Sequence, residues 1–173
     1  NAAGALEIYE ETLAGSIPEP DLKRAVQAGQ AEALVQQGQL DQAIRIWRSL
    51  LSEELPQEER AWIEVQLGHG LLQGGQSTEA ATAFRSLSLA DNQSIRYQGI
   101  LGLAEVAQAS GERERAKTLY QQVVDNAPDP AWQVQALQEL ARVEGERGFR
   151  QVMAFLRDSL DVELHPDRLS QPR

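Results

Sequence analysis

The chain of 173 residues has a formal net charge of −10, no cysteine and an ordinary globular share of apolar residues, 42%. The acidic balance argues against nucleic-acid binding because a phosphate backbone would be repelled. Without cysteine, disulfides, thiolate metal sites and thiol catalysis are excluded, and no apolar run approaches the ~18 residues of a membrane span. Alanine, leucine, glutamine, glutamate and arginine dominate, and all five favour helix, so we expect an all-helical domain.

The N-terminal segment, residues 1–18, predicts the second helix of a truncated helix pair. Ala5 is followed four residues later by Tyr9, and an alanine–aromatic pair with this spacing recurs in each later unit. Leu6 and Ile8 would need a neighbouring surface to cover them. An upstream helix or a second copy of the chain would provide it. The chain also begins without methionine, and we expect a piece of a longer protein.

Three copies of one pattern follow, with a period near 37 residues. Each copy has a glycine five residues before an alanine and an aromatic residue four residues after that alanine. Apolar residues recur at spacings of three and four on both sides of each glycine, as on one face of a helix. A glycine lets the chain leave a helix through a left-handed conformation. We therefore predict helix pairs over 24–57, 61–94 and 97–130, with turns at Gly38, Gly75 and Gly111.

The last unit, 131–162, is less regular and predicts a capping pair of helices. Its first helix begins near Pro130, and its turn fits either Gly145 or Gly148. The two registers expose different faces of that helix. An atypical terminal unit is what the end of a repeat stack needs, and residues 166–173 form a polar tail.

The succession of a small residue, glycine, alanine, an aromatic residue and proline resembles the tetratricopeptide repeat. The clearest copy has Ala104, Gly111, Ala116, Tyr120 and Pro128. The resemblance covers about residues 1–130 and implies an all-α superhelix, a solenoid of antiparallel helix pairs. The units are two or three residues longer than the family norm. Longer spacing of this kind resembles repeats of bacterial cell-envelope assembly proteins, which favours a periplasmic or envelope location over the cytoplasm.

No catalytic motif occurs along the chain. The metalloprotease, phosphate-loop, nucleophile-elbow and dinucleotide patterns are all absent. The glycine pairs Gly68/Gly70 and Gly74/Gly75 are better explained by helix packing and helix termination than by phosphate binding. Asp91-Asn92 and Asp125-Asn126 fall at helix ends, where capping is their usual role. We therefore expect no enzyme, no cofactor and no metal.

In the tetratricopeptide family the first helix of each pair lines a concave groove, and the resemblance implies which residues would meet a partner. In the last unit the assignment holds in one register only. The predicted groove residues are Ala28, Glu32, Val35, Gln36, Trp62, Val65, Gln66, His69, Leu72, Gln73, Gln98, Leu101, Glu105, Gln108, Trp132, Gln135, Glu139 and Arg142.

The predicted groove is rich in glutamine, mildly acidic and partly apolar. Some family members hold a partner's C-terminal carboxylate with cationic side chains, but the matching positions here include Ala28, Gln66 and Gln98 and offer no cation. This composition favours a helical or extended peptide held by apolar anchors and amide hydrogen bonds. A basic partner would associate faster because of the overall charge. Trp62 and Trp132 have two interpretations, exposure in the groove or packing between neighbouring pairs.

The leading functional hypothesis is therefore a module that binds a protein or peptide in its concave groove. One alternative is self-association or a spacer role in a larger protein, including a homodimer through the N-terminal half-repeat. Another is an accessory domain of an enzyme whose active site lies elsewhere in a longer chain.

Overall fold

The computed structural model describes residues 2–15, 17 and 19–145, and within them the chain forms helices and short connections without a strand. The helices are α1 (Ala2–Ala14), α2 (Pro20–Gln36), α3 (Leu40–Leu51), α4 (Gln57–Gln73), α5 (Ser77–Ser88), α6 (Gln93–Ala109), α7 (Arg113–Asn126) and α8 (Pro130–Glu144). Each helix packs against the next along the chain, and α4 also contacts α6, as α6 contacts α8. The predicted all-α stack of helix pairs is confirmed.

The helices α2, α4 and α6 begin four residues before the first residue of the three predicted full pairs. Pro20 occupies the first turn of α2, where its missing N–H costs nothing. Asn92 caps α6 by accepting a hydrogen bond from the Ile95 amide at 3.3 Å.

The turn inside each pair has one geometry, repeated three times. After α2 the Gly38 amide donates to the Val35 carbonyl and the Gln39 amide donates to the Leu34 carbonyl, both at 2.9 Å. These two bonds define a Schellman turn, which needs a left-handed residue at its centre. Gly38 has φ 76°, and the turns at Gly75 and Gly111 repeat the same bonds and conformation. The predicted turn glycines are confirmed.

The turn after α8 falls at Gly145. The helix ends at Glu144, and Gly145 has φ 72°. Gly145 is the turn glycine of one of the two registers that the sequence left open, and Gly148, the turn glycine of the other, lies outside the described residues. The second helix of the predicted capping pair and the polar tail lie outside the described residues.

Aromatic side chains of the second helices hold the stack together by packing on glycines. Phe84 of α5 is fully buried, and a Cβ atom on Gly68 or Gly102 would lie 2.5 or 2.1 Å from its ring. Its ring therefore fits between α4 and α6 only because both positions lack a side chain. Tyr9 meets Gly29 and Trp47 meets Gly70 in the same way.

A second link between units was not visible in the sequence. The fourth residue after the N-cap of α4, α6 and α8 reaches back to carbonyls at the end of the preceding helix. Arg60 donates to the Leu51 and Glu53 carbonyls at 3.3 and 3.0 Å. Arg96 and Gln133 repeat the arrangement after α5 and α7. Each side chain thus satisfies carbonyls at or just beyond the end of the preceding helix, where intrahelical partners are missing.

Candidate partner-binding groove

The predicted groove residues occupy matching places in the first helices of the units. With Gly145 as the last turn, residues six positions before each turn glycine are Glu32, His69, Glu105 and Glu139. The residues three positions before it are Val35, Leu72, Gln108 and Arg142. Positions three apart share a helix face, so with Gly145 as the reference, Glu139 and Arg142 lie on the face of α8 that corresponds to the predicted groove face of the other first helices.

Contacts between helices show that these places are neighbours in space. His69 Nδ1 of α4 lies 3.1 Å from Glu105 Oε2 of α6. The edge of the His69 ring also meets Phe84, with ring centroids 5.2 Å apart and planes at 65°. The position six before the turn glycine therefore forms a continuous polar row from α4 to α6.

Tyr120 of α7 extends this row toward α8. Its buried hydroxyl donates a hydrogen bond of 2.9 Å to Gln108 Oε1. Burial raises the pKa of Tyr120 above its usual value, and the nearby charges of Glu105 and Glu139 raise it further. Arg142 pairs with Glu139 at 2.5 Å. Glu105 and Glu139 thus both lie close enough to Tyr120 to raise the pKa of its phenol.

Between α2 and α4 the groove deepens into a cavity of about 200 Å³, which we call the α2–α4 cavity. It is lined by Glu32, Val35, Gln36, Trp47, Gln66, His69, Gly70 and Gln73. Six of these eight residues are predicted groove residues, and they come from two different units. The other two, Trp47 and Gly70, were not predicted to line the groove. The sequence analysis assigned Gly70 to helix packing, and in the structure Gly70 contacts the Trp47 ring.

Residues 98–130, which cover most of α6 and all of α7, match the family model for the tetratricopeptide repeat. This match and the stack of helix pairs together support a protein of the tetratricopeptide-repeat family. The matched stretch contains the copy that the sequence pattern marked as clearest. A search of the curated proteins found no match. Tetratricopeptide repeats are in general interaction modules. None of the described helices combines the length and apolarity that a bilayer span requires.

The predicted groove residues differ in exposure. Exposed are Glu32, Gln36, Trp62, Gln73, Gln108, Gln135 and Arg142, and half-buried are Ala28, Val35, Val65, Gln66, His69, Leu72, Gln98, Glu105, Trp132 and Glu139. Trp62 exposes 38% of its surface, whereas Trp132 packs against the core shared by α6, α7 and α8.

Leu101 requires a correction, because only 3% of it is exposed. Its helix, α6, is covered from several sides, since it contacts α4, α5, α7 and α8. The equivalent residue of α4, Val65, is only half-buried. Leu101 therefore belongs to the core and offers no side chain to a partner.

The charge of the groove is negative in its described part. Glu32, Glu105 and Glu139 contribute three carboxylates, and Arg142 is the one arginine or lysine among the predicted groove residues. Because Arg142 is paired with Glu139, it offers little to an incoming anion. No three histidine or acidic side chains of the described residues come together as a metal site would require.

Proposed function

We propose that this protein binds a peptide segment of a protein partner along the groove formed by α2, α4, α6 and α8, and that it is an interaction module rather than an enzyme. The observation that carries the proposal is the α2–α4 cavity, on which six predicted groove residues converge from two units. Concave sites with a few convergent polar groups are the usual form of a binding site. The tetratricopeptide repeat itself supports a protein partner.

The chemistry of the groove supports a partner without exposed acidic groups. Glu32 forms no ion pair with a described residue, and a basic side chain passing over it would gain a favourable interaction. Val35, Leu72 and Trp62 add apolar surface that would hold aliphatic or aromatic anchors. A basic, amphipathic segment combines the two, and the net charge of −10 would speed its association.

The absence of cysteine allows a direct test, because single cysteines can carry a photo-cross-linker without a background label. We would label Gln36→Cys and Gln73→Cys, which are exposed at the two sides of the α2–α4 cavity. The matched control is Thr82→Cys, exposed on α5 of the same unit as Gln73. Photolysis in extract of the source cell should give the same adduct from both groove positions and none from Thr82. An adduct of equal yield from Thr82 would contradict binding in the groove.

One observation favours a second candidate function, self-association through α1. Ile8 exposes 63% of its surface on the face of α1 that does not pack on α2. A second copy that covered this face would extend the stack. Sedimentation equilibrium at micromolar concentration should then show a dimer, and Ile8→Glu should dissociate it. A monomer at all concentrations would eliminate this candidate and leave groove binding untouched.

A further inference from the structure

The predicted groove contains one histidine, His69, the residue type whose charge changes between pH 5 and 8. The half-buried side chain of His69 lines the α2–α4 cavity. Its Nδ1 lies 3.1 Å from Glu105 Oε2, the distance of an ion pair once the imidazole is protonated. On a second side the ring meets Phe84, with ring centroids 5.2 Å apart. Contacts with two other helices therefore define where the titrating ring lies.

The charged groups around His69 are acidic. Helix α6 contributes Glu105, and α2 contributes Glu32, which lines the same cavity. Helices α3 and α5 meet this region with the uncharged rings of Trp47 and Phe84. The residues of α4 one turn before and one turn after His69 are also uncharged, namely Val65, Gln66, Leu72 and Gln73. No described arginine or lysine lines the cavity, so a neutral imidazole leaves both carboxylates without a cation there.

Protonation of His69 changes the charge that the groove presents to a partner. The predicted groove residues include three glutamates and Arg142, which give a net charge of −2 while His69 is neutral. A protonated His69 reduces this charge to −1 and forms an ion pair with Glu105. Since Arg142 already pairs with Glu139, Glu32 is then the one unpaired acid among the predicted groove residues. A cationic group of the partner would thus lose one carboxylate and meet a like charge beside the cavity.

Solvent screens this pair only in part. The side chains of His69 and Glu105 are 38% and 28% exposed, whereas those of Arg115 and Glu112, an ion pair on the surface of α7, are 54% and 48% exposed. A segment bound along the groove would cover His69 and Glu105 further, and charges interact more strongly as water is removed. The charge of His69 should therefore affect the bound partner more than it affects the free protein.

We propose that His69 and Glu105 form a pH-dependent switch of the groove, in which the neutral imidazole permits binding of a basic partner segment and the protonated imidazole weakens it. The inference rests on the proposed function and adds the regulation of the same site. Its sign is fixed by the charges: acidification makes His69 cationic, and a cation in the groove opposes a basic segment.

A basic peptide tests the switch directly. The probe is a tetramethylrhodamine-labelled peptide of lysine and leucine arranged as one amphipathic helix. Lysine keeps its charge between pH 5.5 and pH 8, so the peptide itself does not titrate. Fluorescence anisotropy with the full chain, at constant ionic strength, gives the Kd at both pH values. The wild type should bind about fivefold more weakly at pH 5.5 than at pH 8, the factor expected for one partly screened charge.

The two histidines of the chain provide a matched pair of variants. His69→Gln should bring the ratio of the two Kd values close to one, whatever its affinity at pH 8. His165→Gln removes the other histidine and should keep the wild-type ratio, which separates charge at position 69 from net charge. His69→Lys carries a permanent positive charge and should bind weakly at both pH values. A merely structural role of the ring would not give opposite results for the glutamine and lysine variants.

Several outcomes would overturn the switch. A wild-type ratio close to one would do so, as would a ratio that survives in His69→Gln or disappears in His165→Gln. The cross-linking experiment distinguishes these failures from that of the proposed function. Adducts from Gln36→Cys and Gln73→Cys, together with peptide binding that is absent or independent of pH, would leave groove binding standing and remove only the switch. Absence of both adducts would contradict the proposed function and the switch with it.

Discussion

Trp47 and Phe84 hold the same place in consecutive units, yet the structure around them differs. Phe84 is enclosed by Gly68 and Gly102, and α5 and α6 approach so closely that a Cβ atom on Gly99 would lie 2.3 Å from the Ser88 amide nitrogen. Trp47 meets one glycine, Gly70, and lines an open cavity. One interface of the repeat stack is thus closed around its aromatic ring, and the preceding one is open beside its ring.

A single position explains much of the difference. Nine residues before each turn glycine stand Gly29, Gln66, Gly102 and Ala136. Tyr9 packs on Gly29 and Phe84 packs on Gly102. The corresponding residue of α4, on which Trp47 would pack in the same way, is Gln66. Trp47 instead packs on Gly70, one helical turn further along α4. We infer that Gln66 displaces the aromatic ring and so opens the cavity that its own side chain lines.

The largest effect is expected when the closed interface loses its aromatic side chain. Phe84→Ala should lower the free energy of unfolding by about 3–5 kcal/mol, since the ring is fully buried between two helices that cannot collapse onto the space. Urea denaturation followed by circular dichroism measures the change. A loss below about 1 kcal/mol would show that the interface is not closed in the way described.

The second largest loss of stability is expected when one methyl group is added where α5 and α6 approach each other closely. Gly99→Ala should destabilise the protein by about 1–3 kcal/mol because its Cβ atom would meet the backbone of α5, which cannot give way as a side chain can. Gly4→Ala is the matched control, a helical glycine of α1 with no atom within 4 Å of the added carbon. It should stabilise by about 0.5–1 kcal/mol through helix propensity. Similar effects of the two changes would contradict the close approach of α5 and α6.

Tyr120 makes the free energy of unfolding depend on pH at the C-terminal side of the stack. Its pKa is raised in the folded protein by burial and by the charges of Glu105 and Glu139. The folded state therefore holds the phenolic proton more tightly than the unfolded state, where the pKa is about 10. Stability from this group is complete below pH ~10 and is lost as the pH rises above it.

Tyr120→Phe isolates that contribution. At neutral pH the variant should lose about 1 kcal/mol with the hydrogen bond to Gln108. Above pH ~10 the difference in the free energy of unfolding between the variant and the wild type should shrink. Only the wild type must then keep this phenol protonated, or bury its phenolate, in order to fold. Urea denaturation at pH 7 and at pH 10.5 measures both values. A difference that does not change with pH would contradict the burial of the hydroxyl.

The smallest effect is expected at the open interface. Trp47→Phe removes the unpaired indole N–H, which favours the variant, and leaves extra space, which disfavours it. The two terms oppose each other, so the free energy of unfolding should change by less than about 1 kcal/mol. A loss comparable with that of Phe84→Ala would mean that Trp47 closes its interface as Phe84 does.

The repeat pattern predicted the architecture because its key residues act locally. A turn glycine at position 38, 75 or 111 determines where a first helix ends, whatever lies around it. The aromatic positions were equally visible, since they repeat at one spacing. Burial of the groove residues was less predictable. Leu101 sits at a groove position, but its burial depends on four other helices that contact α6.

The α2–α4 cavity could not be read from either unit alone. Its shape depends on how Trp47 of one unit meets Gly70 of the next, and the unpaired N–H of Trp47 depends on the absence of an acceptor from every described element around it. A signal was nevertheless present in the sequence. Gln66 is the one long side chain at a position where the other three units have glycine or alanine.

Hydrogen–deuterium exchange with and without the cross-linked partner tests the central claim, that the open interface is the binding site and the closed one is structural. In the free protein, amides of α5 and α6 should exchange more slowly than those of α2. On binding, exchange should slow in α2 and α4 around residues 32–36 and 66–73 and stay unchanged in α5 and α7. Slowing confined to α5 and α7, with α2 and α4 unaffected, would contradict the account.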